Sequence, residues 1–531
     1  MDDPSVLPTA ASVAQKVAAD VQARYRRLQG KDVRFVLGNH DLSSEVMRQY
    51  KCPERYLPRV RGIFINLWKS LGISHDHFAS NLYVRQHNEF LTDFFNEFCS
   101  SKALYLQENK RLYCKQCHEY KKLSDLAPWN SCKLHPKETL EVSYSTGLYC
   151  DVESILNKIT LILADNFVDP HRYRKDLGDI LYDMCRYKGI PVGSSASYGF
   201  PIYRIQTSNM SYTSTRNPIR INEHVSSMLS CWTFKGEHWP PDMMFINSYS
   251  LENYAVHLPI LLEAAEFIFP KKIIVCSNIT TERPQSNIKA PFHLIRKYIE
   301  RFGSETVRLA LMQHWNTKEG STLNEKLLVE TYNQLSNLQR LVCRIHDICI
   351  RYSNGVLPEF SPDKRQCWLK ASTFKLYTDG MDSCDYHVAV DMAMHLVEDI
   401  DYYISISKLW DKERRDILPK LKTIIGGIRL VSTLLRPFVP MFSEEIDRVF
   451  NYPVPLTWKW TENMCCADNL FGLTKHITLD KLSPRWAEGA ENPQDSLKPD
   501  VQDKESDPNS YDLEEETGHH FSPAKPHPLI S

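Results

Sequence analysis

The chain has 531 residues, 42% apolar and 24% charged, and its 64 Lys and Arg face 65 Asp and Glu, for a formal charge of −1. That balance excludes a polybasic binder as a whole-chain description, so any contact with nucleic acid must come from a local basic face. Mean hydropathy is −0.39, and no run of about 18 apolar residues is present, which excludes a membrane-spanning helix. The length suits about three to four domains. The opening residues, Met1 to Ser5, carry neither a signal peptide nor an Arg-rich transit peptide. Fifteen cysteines without a dense framework point to a reducing intracellular compartment, where grouped cysteines are metal ligands rather than disulfides.

In chain order, Val13, Val17, Val21, Tyr25 and Leu28 recur at helical spacing, and Gly30 stops the helix. Arg24, Arg26, Arg27 and Lys31 read as its exposed face. Val33 to Leu37 predicts a short strand, and helical patterns cover about 41–50, 61–71 and 85–99. This order predicts an α/β sheet with crossover connections. Between 103 and 225 short strand-like pieces, among them Leu104 to Leu106 and Arg111 to Tyr113, mark an insertion with its own small fold. A helix over about 253–266 and a buried strand from Lys272 to Cys276 return to α/β texture. Thr322 and Glu325 have capping-box spacing. Leu328, Leu335, Leu338, Val342, Ile345 and Ile348 then line one face of a long helix. Further helices over about 385–408, 412–434 and 438–450 complete a bundle. From 487 onward 11 acidic residues stand against 3 basic, among Pro, Ser and Asn, so the tail is expected to be disordered.

Cys114 and Cys117 form one x2 pair, and Cys132 and His135 another, with 14 residues between the pairs. Each pair can present two ligands from a tight turn, and four such ligands suit one tetrahedral zinc. A four-ligand site keeps no open position for substrate, so this reads as a structural zinc.

Taken together, split α/β halves, a zinc-knuckle insertion and a C-terminal bundle resemble the methionyl-tRNA synthetases, a class I synthetase family, over roughly 8–480. Ala19 to Val33 looks like the helix after the family's HIGH signature. The single knuckle is similar to that of bacterial-type members. Trp239 to Leu262 looks like the entry to the second half, and Arg301 to Arg308 resembles the segment after the KMSKS loop. The resemblance implies a Rossmann-like domain split by the knuckle insertion and followed by an α-helical bundle. The expected division is 1–102 for the first half, with its first strand apparently missing, then 103–225 for the insertion. The second half with the KMSKS region follows at 226–320, an anticodon-binding-like bundle at 321–484 and the acidic tail at 485–531.

Set against the family's motifs, the chain departs where chemistry is carried. The HIGH signature falls on Thr9, Ala10, Ala11 and Ser12 after Pro8, so both histidines are gone. KMSKS falls on Pro284, Gln285, Ser286, Asn287 and Ile288, without a lysine. The family's amino-group-binding aspartate is His40, and the histidine of its second-half segment is Tyr254. Asn247, Ser248 and Tyr249 stand for its Gly-Lys-Asp. Its anticodon-reading Asn and Pro-Trp pair correspond to Asp401, Leu409 and Trp410, of which only the Trp matches.

Two functions compete. The first is a catalytically silent synthetase fold that binds tRNA, other RNA or a protein partner. The second is a divergent or N-terminally truncated methionine–tRNA ligase, ATP-dependent and cytoplasmic or mitochondrial. For RNA, Lys271, Lys272, Arg283, Lys289, Arg296, Lys297 and Arg301 outnumber Glu282 and Glu300 by five, giving a candidate phosphate-binding face. Trp410 is a candidate base contact.

Overall fold

A computed structural model describes residues 7–39, 53–80, 91–98, 103–155, 168–229, 240–281, 290–315, 320–353, 371–409 and 414–450, with short gaps inside several of these ranges. The expected helix at 41–50, the 284–288 window, His40, Cys117, Arg283, Lys289, Trp410 and the acidic tail lie outside the described residues. Everything described belongs to one compact unit, Met1–Arg485.

Helix α1 runs Ala10–Leu28, and its Val13, Val17, Val21 and Tyr25 are buried as the spacing predicts. Thr9 caps it, and Gly30 ends it at φ +77, a conformation that suits glycine. The arginines expected on a solvated face are instead engaged. Arg24 pairs with Asp20, Arg26 with Asp382 and Arg27 with Asp76. Gln15, Lys16, Asp20 and Gln22 are buried too, because α1 lies between a sheet and the helix bundle.

Strand β1 (Val36–Asn39) starts later than its apolar run. The Phe35 N–H donates to the Asp76 carboxylate at 2.7 Å, outside the sheet ladder. Helix α2 (Pro53–Ser70) crosses to β2 (His77–Ser80), which pairs parallel with β1. The described residues of 91–98 are helical, and Leu91, Phe94, Phe95 and Phe98 enter the main core.

The insertion is built on one long antiparallel pair. The two expected strand pieces are a single strand, β3 (Leu104–Cys114), because it pairs with β7 (Glu141–Asp151) from Leu104↔Cys150 to Tyr113↔Glu141. Between them lie β4 (Glu119–Lys121), β5 (Leu126–Ala127) and β6 (Ser131–Cys132). Then come β8 (Val168–Asp169), α3 (Arg174–Arg186), β9 (Gly189–Ser194) and β10 (Phe200–Ile202). The hairpin β11 (Arg204–Gln206) and β12 (Ser211–Thr213) precedes β13 (Ile219–Ile221). A sheet forms in the order β10-β13-β9-β7-β3-β4. Asn209 fastens the hairpin to β3 by accepting from the Leu106 N–H at 3.1 Å and donating to its carbonyl at 2.8 Å.

Strand β14 (Met244–Asn247) returns to the parallel architecture. The helix expected over 253–266 is two pieces, a π-helix at Glu252–His257 and α4 (Leu258–Ala264), and a 3-10 turn at Ser248–Ser250 precedes them. Pro259 supplies the reason. It lacks an N–H and its ring crowds the carbonyl four residues back, so the preceding turn widens and Leu258 N–H bonds Asn253 O. Strand β15 (Ile273–Cys276) is buried throughout, and the parallel order is β14-β15-β8. Strand β16 (Ile279–Thr281) and helices α5 (Ala290–Phe302) and α6 (Ser304–Gln313) follow, the helices separated by Gly303 at φ +83.

Thr322 does not cap the long helix, because it sits in β17 (Ser321–Leu323), paired parallel with β16. Helix α7 (Glu325–Ser353) is opened by Asn324, whose Oδ1 accepts from the Leu327 N–H at 2.9 Å. Its buried face is Leu328, Leu335, Leu338, Val342 and Ile345, with Cys349 buried where Ile348 was expected. Helices α8 (Ala371–Asp382), α9 (Tyr386–Ser407), α10 (Arg414–Leu435) and α11 (Pro440–Val449) complete the bundle. Among the described residues no helix is long and apolar enough to cross a membrane.

Candidate functional site: the crevice beside α1 and a cysteine–histidine knot

In open parallel sheets, ligands bind in the crevice outside the carboxyl ends of the strands. Here that end of β14 meets the second turn of α1. Gln15 Nε2 donates to Phe245 O at 2.7 Å, and Asn247 Nδ2 donates to Gln15 Oε1 at 3.1 Å. Lys16 Nζ donates to the same Gln15 oxygen at 2.9 Å and lies 5.8 Å from the centre of the Trp68 ring. Asn247 also donates to the Tyr249 hydroxyl at 2.7 Å, and Tyr249 is 75% exposed at the rim. Cys276, at the end of β15, is fully buried, and burial drives its thiol far above the ordinary range despite the pull of Lys16. At the end of β1, the buried Asn39 amide has no hydrogen-bond partner on either atom among the described residues.

The first turn of α1 is closed on itself. Thr9 Oγ1 accepts from the Ser12 N–H at 3.3 Å, and Ser12 Oγ accepts from the Thr9 N–H at 2.9 Å. Ala10 and Ser12 are buried. These are the positions matched to the HIGH signature, and their polar atoms are spent on a capping box. Tyr254 falls in the π-helix and is half-buried against the main core. Sequence reasoning singled out Asn247 and Tyr249 as altered motif positions but missed their chain to Gln15 and Lys16. The signal for the α1 half was polar residues interrupting its apolar face.

A second cluster sits at the far end of the β3–β7 pair. The ligand atoms of Cys114, Cys132 and His135 all lie within 4.8 Å of one another. His135 Nδ1 is 3.7 Å from the Cys114 sulfur and 3.8 Å from the Cys132 sulfur. Around a tetrahedral zinc, with bonds of about 2.3 Å to sulfur and about 2.0–2.1 Å to nitrogen, the S···N edge is about 3.6 Å, so these three atoms fit one ion. The pairing of β5 with β6 and the Cys132↔His135 bridge hold the second pair in its turn. Both thiols are buried, with Leu112 and Leu140 the apolar residues around them.

The candidate RNA face is less free than its composition suggests. Lys271 pairs with Asp242 and the half-buried Lys272 with Asp169, each at 2.5 Å, while Arg296 reaches Glu300 and Arg301 pairs with Glu325. Lys297 is exposed on α5. Three of these four cations are therefore tied to carboxylates outside the 271–301 segment that sequence counting considered. On the bundle, Asp401 pairs with Arg344 from α7 at 2.9 Å.

The parallel layers, the β-rich insertion and the following helices define a class I aminoacyl-tRNA synthetase architecture. The family profile described as tRNA synthetases class I (M) matches residues 11–135, and that of the anticodon-binding domain of tRNA ligase matches 370–472. The chain is 22% identical over 480 residues to the methionine–tRNA ligase of Thermosynechococcus vestitus, covering 85% of this chain and 88% of that one. It is 23% identical over 486 residues to the methionine–tRNA ligase of Synechocystis, covering 86% and 88%. A Mycobacterium tuberculosis methionyl-tRNA synthetase bound by methionyl-adenylate superposes with a TM-score of 0.73 at 16% identity, over 91% of this chain and 98% of that one. The chain is similar along most of its length to methionine–tRNA ligases, and it shares the fold of a methionyl-tRNA synthetase.

Proposed function

We propose that this chain is a methionyl-tRNA synthetase-like protein that has lost adenylate chemistry and acts by binding tRNA. The observation that carries the reading is the first turn of α1, where Thr9 and Ser12 satisfy each other and Ala10 and Ala11 offer no donor. Forming an adenylate builds negative charge on a triphosphate, and each preorganised donor removed typically costs about 2–4 kcal/mol of transition-state stabilisation. With Pro284 to Ile288 also lacking a cation, the residues present do not fit activation of ATP. No catalytic step is therefore assigned to any residue.

Two features support retention of binding. The match to an anticodon-binding domain covers α8 to α11 of the bundle, and the relatives that align along most of the chain are tRNA ligases. The division into 1–102, 103–225, 226–320, 321–484 and 485–531 follows the same resemblance. Cys114, Cys132 and His135, with Cys117 as fourth ligand, hold a structural zinc that closes the insertion. Its thiolates need a compartment that keeps thiols reduced.

The decisive experiment is methionine-dependent ATP–pyrophosphate exchange. The full chain should give no signal above a no-enzyme blank, and Lys16→Met should leave that result unchanged. Exchange above the blank, lost in Lys16→Met, would establish an active ligase that uses a displaced cation. Binding of tRNA should weaken with salt. Arg296→Glu with Lys297→Glu should weaken it further, since both side chains are exposed and neither is in a buried pair.

A further inference from the structure

Arg308 on α6 is completely buried, yet every direction of its guanidinium is answered. Nε donates to Phe438 O at 2.9 Å, and Nη1 to Leu71 O at 3.1 Å. Nη2 donates to Pro437 O at 3.0 Å and meets Asp20 Oδ2 at 2.7 Å. Asp20 also accepts from Arg24 Nε at 2.8 Å, the Ser74 N–H at 2.7 Å and the Ser74 hydroxyl at 2.6 Å. One turn earlier on α6, Glu305 accepts from the Phe442 N–H at 3.2 Å.

This arrangement matches charge to the helix ends. Helix α10 finishes at Leu435 and α11 begins at Pro440. Arg308 therefore meets carbonyls just past the negative end of one helix, and Glu305 meets an N–H in the first turn of the next. The α10–α11 turn is gripped from α6 by opposite charges, and the cation of that grip is shared with α1 and the turn after α2.

We propose that Arg308 couples α1 to the α10–α11 turn, so that α11, α1 and the 71–74 turn open as one cooperative unit. Such a network gives way as a whole, because removing one member leaves a buried charge without its partner. Helix α8 offers a comparison. It meets α1 through Arg26–Asp382 and the end of α10 through the Tyr377 hydroxyl, which donates to Leu434 O at 2.8 Å, and neither link involves Arg308.

Hydrogen exchange on the full chain, read by mass spectrometry, tests the coupling. Asp20→Asn should speed exchange in residues 440–449 by about tenfold or more, as expected for groups in one network, while 371–382 stay protected. Ser74→Ala, which removes one hydroxyl bond to Asp20 and keeps the backbone bond, should act in the same direction and more weakly. If Asp20→Asn does not fold, Ser74→Ala decides alone. Faster exchange confined to 10–28 and 71–74, or equal acceleration in 371–382 and 440–449, would overturn the proposal.

Discussion

The cysteine–histidine knot and the Arg308 junction are both buried polar clusters, and they are satisfied in opposite ways. At the junction, cation, carboxylate, hydroxyl and four backbone groups from two turns answer one another, so the cluster is satisfied within the protein. At the knot, two thiols and an imidazole converge, with Leu112 and Leu140 as apolar support among the described residues. Donor sets of that type stabilise a fold when an ion draws them together, and binding of that ion is then part of the folding free energy. The first cluster is satisfied by the tertiary contacts around it, and the second, on the proposed zinc reading, is completed by an ion.

The largest expected effect falls on the self-sufficient cluster. Arg308→Met leaves Asp20 buried with reduced compensation and strips three carbonyls of their donor, which should destabilise the protein by about 3–5 kcal/mol. Urea unfolding would measure it. A loss below about 1 kcal/mol would mean that water replaces the guanidinium, and the contrast with the knot would fail. Next comes Cys132→Ser, which should abolish zinc binding by elemental analysis and loosen the end of the β3–β7 pair while the bundle keeps its cooperative melt. Retained zinc would remove Cys132 from the ligand set.

A third test uses acid. Burial pushes the Asp20 carboxyl upward, but Arg308, Arg24 and the Ser74 donors outweigh it, and its pKa lies below 3.8. A lowered folded pKa contributes stability above the unfolded value, lost as pH falls through the folded one, so the junction should weaken below about pH 3.8. Glu305 moves the other way, since burial outweighs Arg308 and the Phe442 and Met441 amides and raises it above 4.5. Its contribution is full below the unfolded value and declines as pH rises through the folded one. Glu305→Gln should therefore flatten the pH dependence of stability above 4.5 and leave the acid limb intact. An acid limb unchanged in Asp20→Asn would contradict the assignment. The smallest effect belongs to a site outside both clusters. Asn324→Ala should cost about 1 kcal/mol through the lost cap, and Thr322→Val, in a strand, should leave the helix start untouched.

Much of the site was legible because its signals are local. The x2 spacing of Cys114 with Cys117 and Cys132 with His135 constrains turns of a few residues, and three of those four side chains meet as expected. The loss of charge at Thr9 to Ser12 needs only residue identity, though its use as a capping box needed coordinates. The basic segment was misjudged in its freedom, because Asp242, Asp169 and Glu325, which neutralise three of its cations, come from other parts of the chain.

The sequence by itself determined helices α7, α9, α10 and α11 of the bundle, though not α8, together with the glycine that ends α1, the strand at β15 and the family resemblance, since periodicity, backbone freedom and motif order act over short distances. Tertiary structure decided how α1 is used. Its arginines and its polar residues Gln15, Lys16 and Asp20 suggest a half-solvated helix, but sheet and bundle close over both sides. A buried charge is tolerable only when specific distant groups meet it, and Asp20 finds Arg308 288 positions away only in the folded chain.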